Sequence, residues 1–151
     1  MSTPQTPPQL VALLQSQVQG ALALSGSGGP TQHLMAFAAP SSAEIWMATD
    51  VRSAKWRAVQ DDPRASLLLD DRAGLLSDHH DAVVATASGR LTPLEGDAQV
   101  SARDALTARH PNLTVFLQAQ TTAYLCFHVH NWRMVRNFAH VSVFDPRISG
   151  P

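Results

Sequence analysis

Two hydrophobic periods divide the chain. From Gln9 to Gln19, Leu10, Leu13, Leu14 and Val18 recur at helical spacing and predict an amphipathic helix. The eight residues before it hold Pro4, Pro7 and Pro8 and read as a loose arm, leaving residues 9–151 as one domain. Short segments with the two-residue period of strands follow. "GALALSG" (Gly20–Gly26) predicts a first strand and "SGSGGP" (Ser25–Pro30) a turn. "TQHLMAFAAP" and "AEIWMAT" predict a second and third strand, joined by a turn at Pro40–Ser42 into an antiparallel meander.

Asp50 or Ser53 is placed to cap a short helix that runs to about Gln60 and is ended by Pro63. "RASLLLD" predicts a fourth strand, and "DDRAGLLSDHHD" a loop. "AVVATASGRLTPL" predicts a long fifth strand bent at Gly89 and stopped near Pro93. A helix from Asp97 to about Arg109, broken by Pro111, precedes a shorter helical piece ending near Gln120. "AYLCFHVHNWRMV" then alternates, with Leu125, Phe127 and Val129 on one face and Tyr124, Cys126, His128 and His130 on the other. A last strand falls near "FAHVSVF". The sum is a mainly β fold, a small antiparallel barrel of about six to eight strands with peripheral helices.

Composition narrows the function. With 151 residues, 44% of them apolar and 15% charged, the chain suits one globular domain. A net charge of −1 argues against nucleic acid as a partner. No apolar run reaches membrane-spanning length, and "MSTPQTPPQL" lacks the layout of a secretory signal, so the expected location is cytoplasmic. The single Cys126 excludes an internal disulfide and a multi-cysteine metal site. His79–His80 and His128-x-His130 have no acidic or cysteine partner at diagnostic spacing, so no metal is expected. Cys126 has no local basic partner and reads as strand packing.

The chemistry concentrates in "TDVRSAKWRAVQDDPRASLLLDD" (Thr49–Asp71). Thr49 closes a strand, and Ser53 opens a helix whose first amides point at any anion in front of them. Lys55 adds a full charge about one turn away. Two readings stay open on these residues alone: a solvated surface helix, or a phosphate site. His33, on the strand expected beside that of Thr49, is placed to reach the same end of the sheet.

The ordered set "ALALSGSGGPTQHLMAFAAPSSAEIWMATDVRSAKWRAVQDDPRASLLLDD…AVVATASGRLTPLEGD" resembles the pyridoxamine 5'-phosphate oxidase-like, FMN-binding split-barrel superfamily. The resemblance covers Ala21 to Gly96 well and Ala123 to Val143 loosely. It implies FMN as cofactor, with haem and the deazaflavin F420 as alternatives, and a homodimer holding the cofactor between subunits. The superfamily's T-x-x-x-S-[RK]-K element falls on Thr49, Ser53, Ala54 and Lys55, which implies that Thr49, Ser53 and Lys55 hold phosphate. The basic residue sixteen positions before Thr49 falls on His33. Ala38 and Ala54 stand where the pattern often has a basic residue, and Arg52 or Arg57 is available to compensate for Ala54. Trp132 and Arg136 match as contacts to the flavin edge from the partner subunit. "FDPRISGP" lacks the Arg-His element of pyridoxamine phosphate oxidases proper, so that activity is not expected. What remains implied is a flavin-dependent oxidoreductase, or a non-catalytic cofactor-binding or stress-related module. No acid or base is singled out, and the small-molecule substrate is left open.

Overall fold

A computed structural model describes residues 5–148; the first four residues of the expected arm and the end of "FDPRISGP" lie outside the described residues. Helix α1 (Pro8–Ser16) starts on a proline, whose missing N–H has no helical partner to lose at that position. Its Leu10, Leu13 and Leu14 are buried, each contributing roughly 1.5–3 kcal/mol through removal from water. Strands β1 (Gln19–Gly26) and β2 (Gly29–Ala36) form a hairpin whose tight turn is made possible by Gly29 at φ 109°.

Next come β3 (Glu44–Asp50), α2 (Ala54–Asp61), β4 (Arg64–Asp70), a short α3 (Asp78–Asp81) inside the expected loop, and β5 (Val84–Pro93). Helix α4 (Gly96–Arg109), a 3₁₀ turn (Pro111–Leu113) and α5 (Thr114–Gln118) lead into β6 (Thr122–Arg136) and β7 (His140–Phe144). The seven strands make one antiparallel sheet, ordered β2-β1-β4-β5-β6-β3, with β7 also paired to β6. The sheet is curled into a half-barrel with the helices around it.

The expected meander is corrected at β3. Strands β2 and β3 do not form a hairpin. They meet only through an isolated bridge in which Ala38 and Trp46 exchange both backbone hydrogen bonds, at 3.0 and 2.7 Å. Pro40 has no N–H to continue a ladder, so β3 pairs instead with β6, from Glu44 opposite His128 to Asp50 opposite Thr122. That single bridge closes the curled sheet.

A second correction concerns β6. Its pairing with β5 steps from Ser88 opposite Asn131 to Gly89 opposite Val129, so His130 is the extra residue of a β-bulge. A bulge of one residue reverses which side chains face inward. Leu125, Phe127 and Val129 point into the core before it, whereas Trp132 and Met134 do so after it. Trp132 is therefore enclosed at 0% exposure, with its indole N–H donating to the Ser42 carbonyl at 2.8 Å. Its expected role as a flavin contact gives way to a role in the core.

The barrel core gathers Leu10, Phe37, Ile45, Met47, Leu67, Phe127 and Trp132. A second cluster lies outside the wall, where Ala102 and Leu106 of α4 and Leu117 of α5 cover Tyr124. Part of the second apolar face of β6 is thus covered by the chain's own helices.

Candidate functional site

The stretch from Thr49 to Lys55 folds as a strand end, a turn and a capped helix. Ser53 is the N-cap of α2, its hydroxyl accepting the Trp56 N–H at 3.2 Å. The Thr49 and Ser53 hydroxyls are hydrogen-bonded to each other at 3.1 Å, and Thr49 is buried. No acidic side chain occupies the first turn of α2, so the positive end of its dipole carries no built-in counter-charge. Replacing Ser53 with alanine is expected to cost about 1 kcal/mol of stability through loss of the cap, read as a lower urea midpoint. An unchanged midpoint would contradict the capping role.

Four arginines of the chain are engaged in local ion pairs. Arg52, Arg64, Arg72 and Arg147 each sit at an Asp-x-Arg step and bind the aspartate two residues earlier, at 2.7–3.2 Å. Hydrogen bonds from Arg52 hold the Asp50 carboxyl down to about 2. Arg52 is therefore engaged with Asp50 and is not free to replace the missing basic residue at Ala54. Lys55, the only lysine in the sequence, forms no ion pair among the described residues.

His33 lies on β2, at the opposite end of the sheet order from its expected neighbour β3, yet curling of the sheet brings it within electrostatic reach of Lys55. Burial and then the Lys55 charge push its pKa below the usual histidine value, favouring the neutral imidazole. Its Nε2 is paired with the Thr31 hydroxyl at 3.0 Å.

Thr49, Ser53 and Lys55 line a groove of about 330 Å³ together with the polar Gln19 and Asp50. Its apolar walls are Leu34 and Met35 of β2, Leu106 of α4, and Phe116 and Leu117 of α5. Apolar walls with a few polar groups among them are the usual layout of a small-molecule site.

Several residues in or around this groove left no signal in the sequence. His110, at the end of α4, is buried and lines it, with Nε2 2.8 Å from the Phe37 carbonyl. A carbonyl only accepts, so Nε2 carries the proton. Arg109 beside it donates to the carbonyls of Leu14, Gln15 and Gln17 at the end of α1, and its guanidinium lies 5.3 Å above the Phe37 ring. Thr122 and Tyr124 of β6 donate from their hydroxyls to the Phe116 and Leu117 carbonyls and so pin the short α5 as a wall. The partners of Arg109 and His110 lie 73 to 95 residues away in sequence, beyond the reach of any local pattern.

Arg136 stands at the other end of β6. Thr122 is opposite Asp50, so Arg136 is fourteen residues, or about 45 Å of strand, from the Lys55 end of the same chain. Within one chain it does not join the site. Cys126 also departs from expectation: its Sγ lies 3.9 Å from His128 Nδ1, so it does have a basic neighbour. Burial, then the Glu44 charge, pushes the thiol up to about 11, which leaves it protonated and unreactive as a free group.

A family model described as pyridoxamine 5'-phosphate oxidase matches residues 6–136. The chain belongs to this family. No curated protein matches the sequence. Among solved structures, the chain is similar to a haem-binding protein from Mycobacterium smegmatis, with 16% identity and a TM-score of 0.84. That match covers 99% of this chain and 61% of the other, so the chain spans less than two thirds of that protein. A protein from Clostridium acetobutylicum related to general stress protein 26 matches with 13% identity and TM-score 0.70, covering 91% of this chain and 92% of that one. An FAD-binding protein from Mesorhizobium loti matches with 16% identity and TM-score 0.69, covering 86% and 92%. At these identities the structural likeness speaks for the fold alone. Among the described residues, no helix is long and apolar enough to cross a membrane.

Proposed function

We propose that this member of the pyridoxamine 5'-phosphate oxidase family binds FMN and serves as a flavin-dependent oxidoreductase other than pyridoxamine phosphate oxidase. The observation that carries the reading is Lys55: the only lysine, without an ion-pair partner among the described residues, on the lining of a largely apolar groove. Beside it are two linked hydroxyls and the N-terminus of α2. This donor set suits a phosphate. Lys55 supplies charge, the helix amides and Ser53 supply direction, and His33 adds a group that a bound dianion would protonate. The groove walls at Leu34, Met35 and Phe116 suit the flat apolar part of a cofactor.

A bound flavin would supply hydride and electron transfer, and the chain's own residues would anchor, orient and shield it. Leu34 is exposed at 72% on the groove, which fits a second copy of the chain completing the site as a homodimer. Arg136 of that copy is then the candidate to reach the flavin edge. Haem is the second reading, favoured by the buried His110 on the groove wall and by a structural neighbour that is a haem-binding protein. Calorimetric titration with FMN, riboflavin, F420 and haem, read beside the absorbance spectrum, separates these. Saturable FMN binding with no response to haem supports the proposal; a Soret band with haem and no response to FMN overturns it.

His33 gives the site a predicted pH dependence. Its free pKa lies below the ordinary value, and a nearby phosphate raises it, so binding takes up a proton between the two. FMN affinity should therefore rise severalfold relative to His33→Ala as pH falls from about 8 to about 6. Parallel profiles for the two proteins would remove His33 from the site.

A further inference from the structure

Outside the groove, three side chains with metal-ligating atoms converge on the outer wall of the barrel. Glu44 opens β3 and stands opposite His128 of β6, while Cys126 lies two residues before His128. The carboxylate oxygen, Sγ and imidazole nitrogen of these residues all lie within 4.8 Å of one another. Glu44 is five residues from Thr49 on β3, about 17 Å along the strand, so the cluster is distinct from the Lys55 end. We propose that Glu44, Cys126 and His128 form a binding site for a divalent transition-metal ion of the zinc type.

The geometry supports this in three ways. The donor set is one thiolate, one imidazole and one carboxylate, a mixture that suits zinc and leaves a fourth tetrahedral position to water. Ordinary Zn–S and Zn–N bond lengths place sulfur and nitrogen about 3.5 Å apart around a tetrahedral ion. The 3.9 Å separation of Cys126 Sγ and His128 Nδ1 is close to that, and longer than a good hydrogen bond requires. The imidazole also has an outer partner, because His128 Nε2 lies 2.9 Å from the Thr92 hydroxyl on β5. Donation of the Nε2 proton to Thr92 turns the Nδ1 lone pair toward Cys126, the arrangement that orients a metal-bound histidine.

The three ligands come from two adjacent strands with fixed register, so ring and thiol are held before any ion arrives. Cys126 forms the buried floor and Glu44 the solvent edge by which an ion would enter. On binding, the thiol proton leaves to solvent and sulfur donates its electron pair to the ion, with no change of oxidation state. His130, displaced by the bulge, does not belong to the group. It lies near Asp145 instead, whose carboxylate is held down chiefly by hydrogen bonds from Arg147.

The test uses the full chain after dialysis against a chelator. Zinc is titrated against a chromophoric competitor, and cobalt(II) serves as an optical probe. One ion per chain is expected, with a thiolate-to-cobalt charge-transfer band in the near ultraviolet. Cys126→Ala should abolish that band. Because Cys126 is buried, Glu44→Gln and His128→Ala provide independent tests, each lowering zinc affinity roughly tenfold or more. Thr92→Val should weaken binding while leaving the charge-transfer band in place. A cobalt spectrum without the thiolate band, or zinc affinity unaltered in both Glu44→Gln and His128→Ala, overturns the proposal.

Discussion

Replacing Gly89 with alanine is expected to destabilise the protein by about 3 kcal/mol, seen as a fall in the urea midpoint with an unchanged slope. A methyl group there would sit 2.0 Å from the His128 carbonyl oxygen and 2.9 Å from its carbon. Those are backbone atoms in the middle of the β5–β6 ladder, and they cannot swing aside as a side chain can. The close approach belongs to the bulge: Gly89 pairs with Val129 where His130 is squeezed out of register. Relief of the clash would have to open the longest pairing in the sheet or move the bulge. Loss of the bulge altogether would send Trp132 and Met134 outward. Gly20→Ala makes an instructive comparison, because its closest contacts are the flexible ends of Leu69 and Leu67, at 2.7 and 2.8 Å. It should cost less than Gly89→Ala. A Gly89→Ala protein within about 0.5 kcal/mol of the original would contradict this reading of the bulge.

Lys55→Ala is expected to weaken FMN binding by about 1–3 kcal/mol, or roughly 5- to 150-fold, the scale of one charge-assisted hydrogen bond. The effect should be concentrated in this residue. The nearby Arg52 is held by Asp50 through both its side chain and its backbone N–H, so it does not stand in for a lost lysine. Ala54 and Ala38 contribute no charge, and Ala38 is instead buried in the bridge to Trp46 that closes the barrel. Lys55 lies at the start of a capped helix, with its side chain at the groove and outside the main core. The substitution should therefore leave the thermal midpoint nearly unchanged. Loss of affinity without loss of stability distinguishes a ligand contact from a structural one.

Most elements were legible because each carries its own period: the leucine spacing of α1, the alternation of β1, β4 and β5, and the Ser53 cap of α2. The bend at Gly89 was legible too, since a glycine within a strand pattern marks a bulge or a close backbone approach. Strand pairing was not, because alternation says which way side chains point and nothing about which strand lies alongside. Hence β3 was expected beside β2 and is found beside β6. Trp132 was misplaced for a related reason: simple alternation from Tyr124 puts it outside, and one bulge residue at His130 reverses that. At the candidate site, Thr49, Ser53 and Lys55 are neighbours in sequence, so the chain itself brought them together. His110 joins the groove by a contact across the fold, as does Glu44 its own cluster with Cys126 and His128.

The central claim is that Lys55 holds the phosphate of a flavin nucleotide. Its most direct test is a cycle of four dissociation constants: the unaltered protein and Lys55→Ala, each titrated with FMN and with riboflavin, which lacks the phosphate. The predicted result is a loss of roughly 5- to 150-fold for FMN in Lys55→Ala and no loss for riboflavin, with the difference reporting the lysine–phosphate interaction alone. Equal FMN affinity in the two proteins, or the same loss for riboflavin as for FMN, would contradict it.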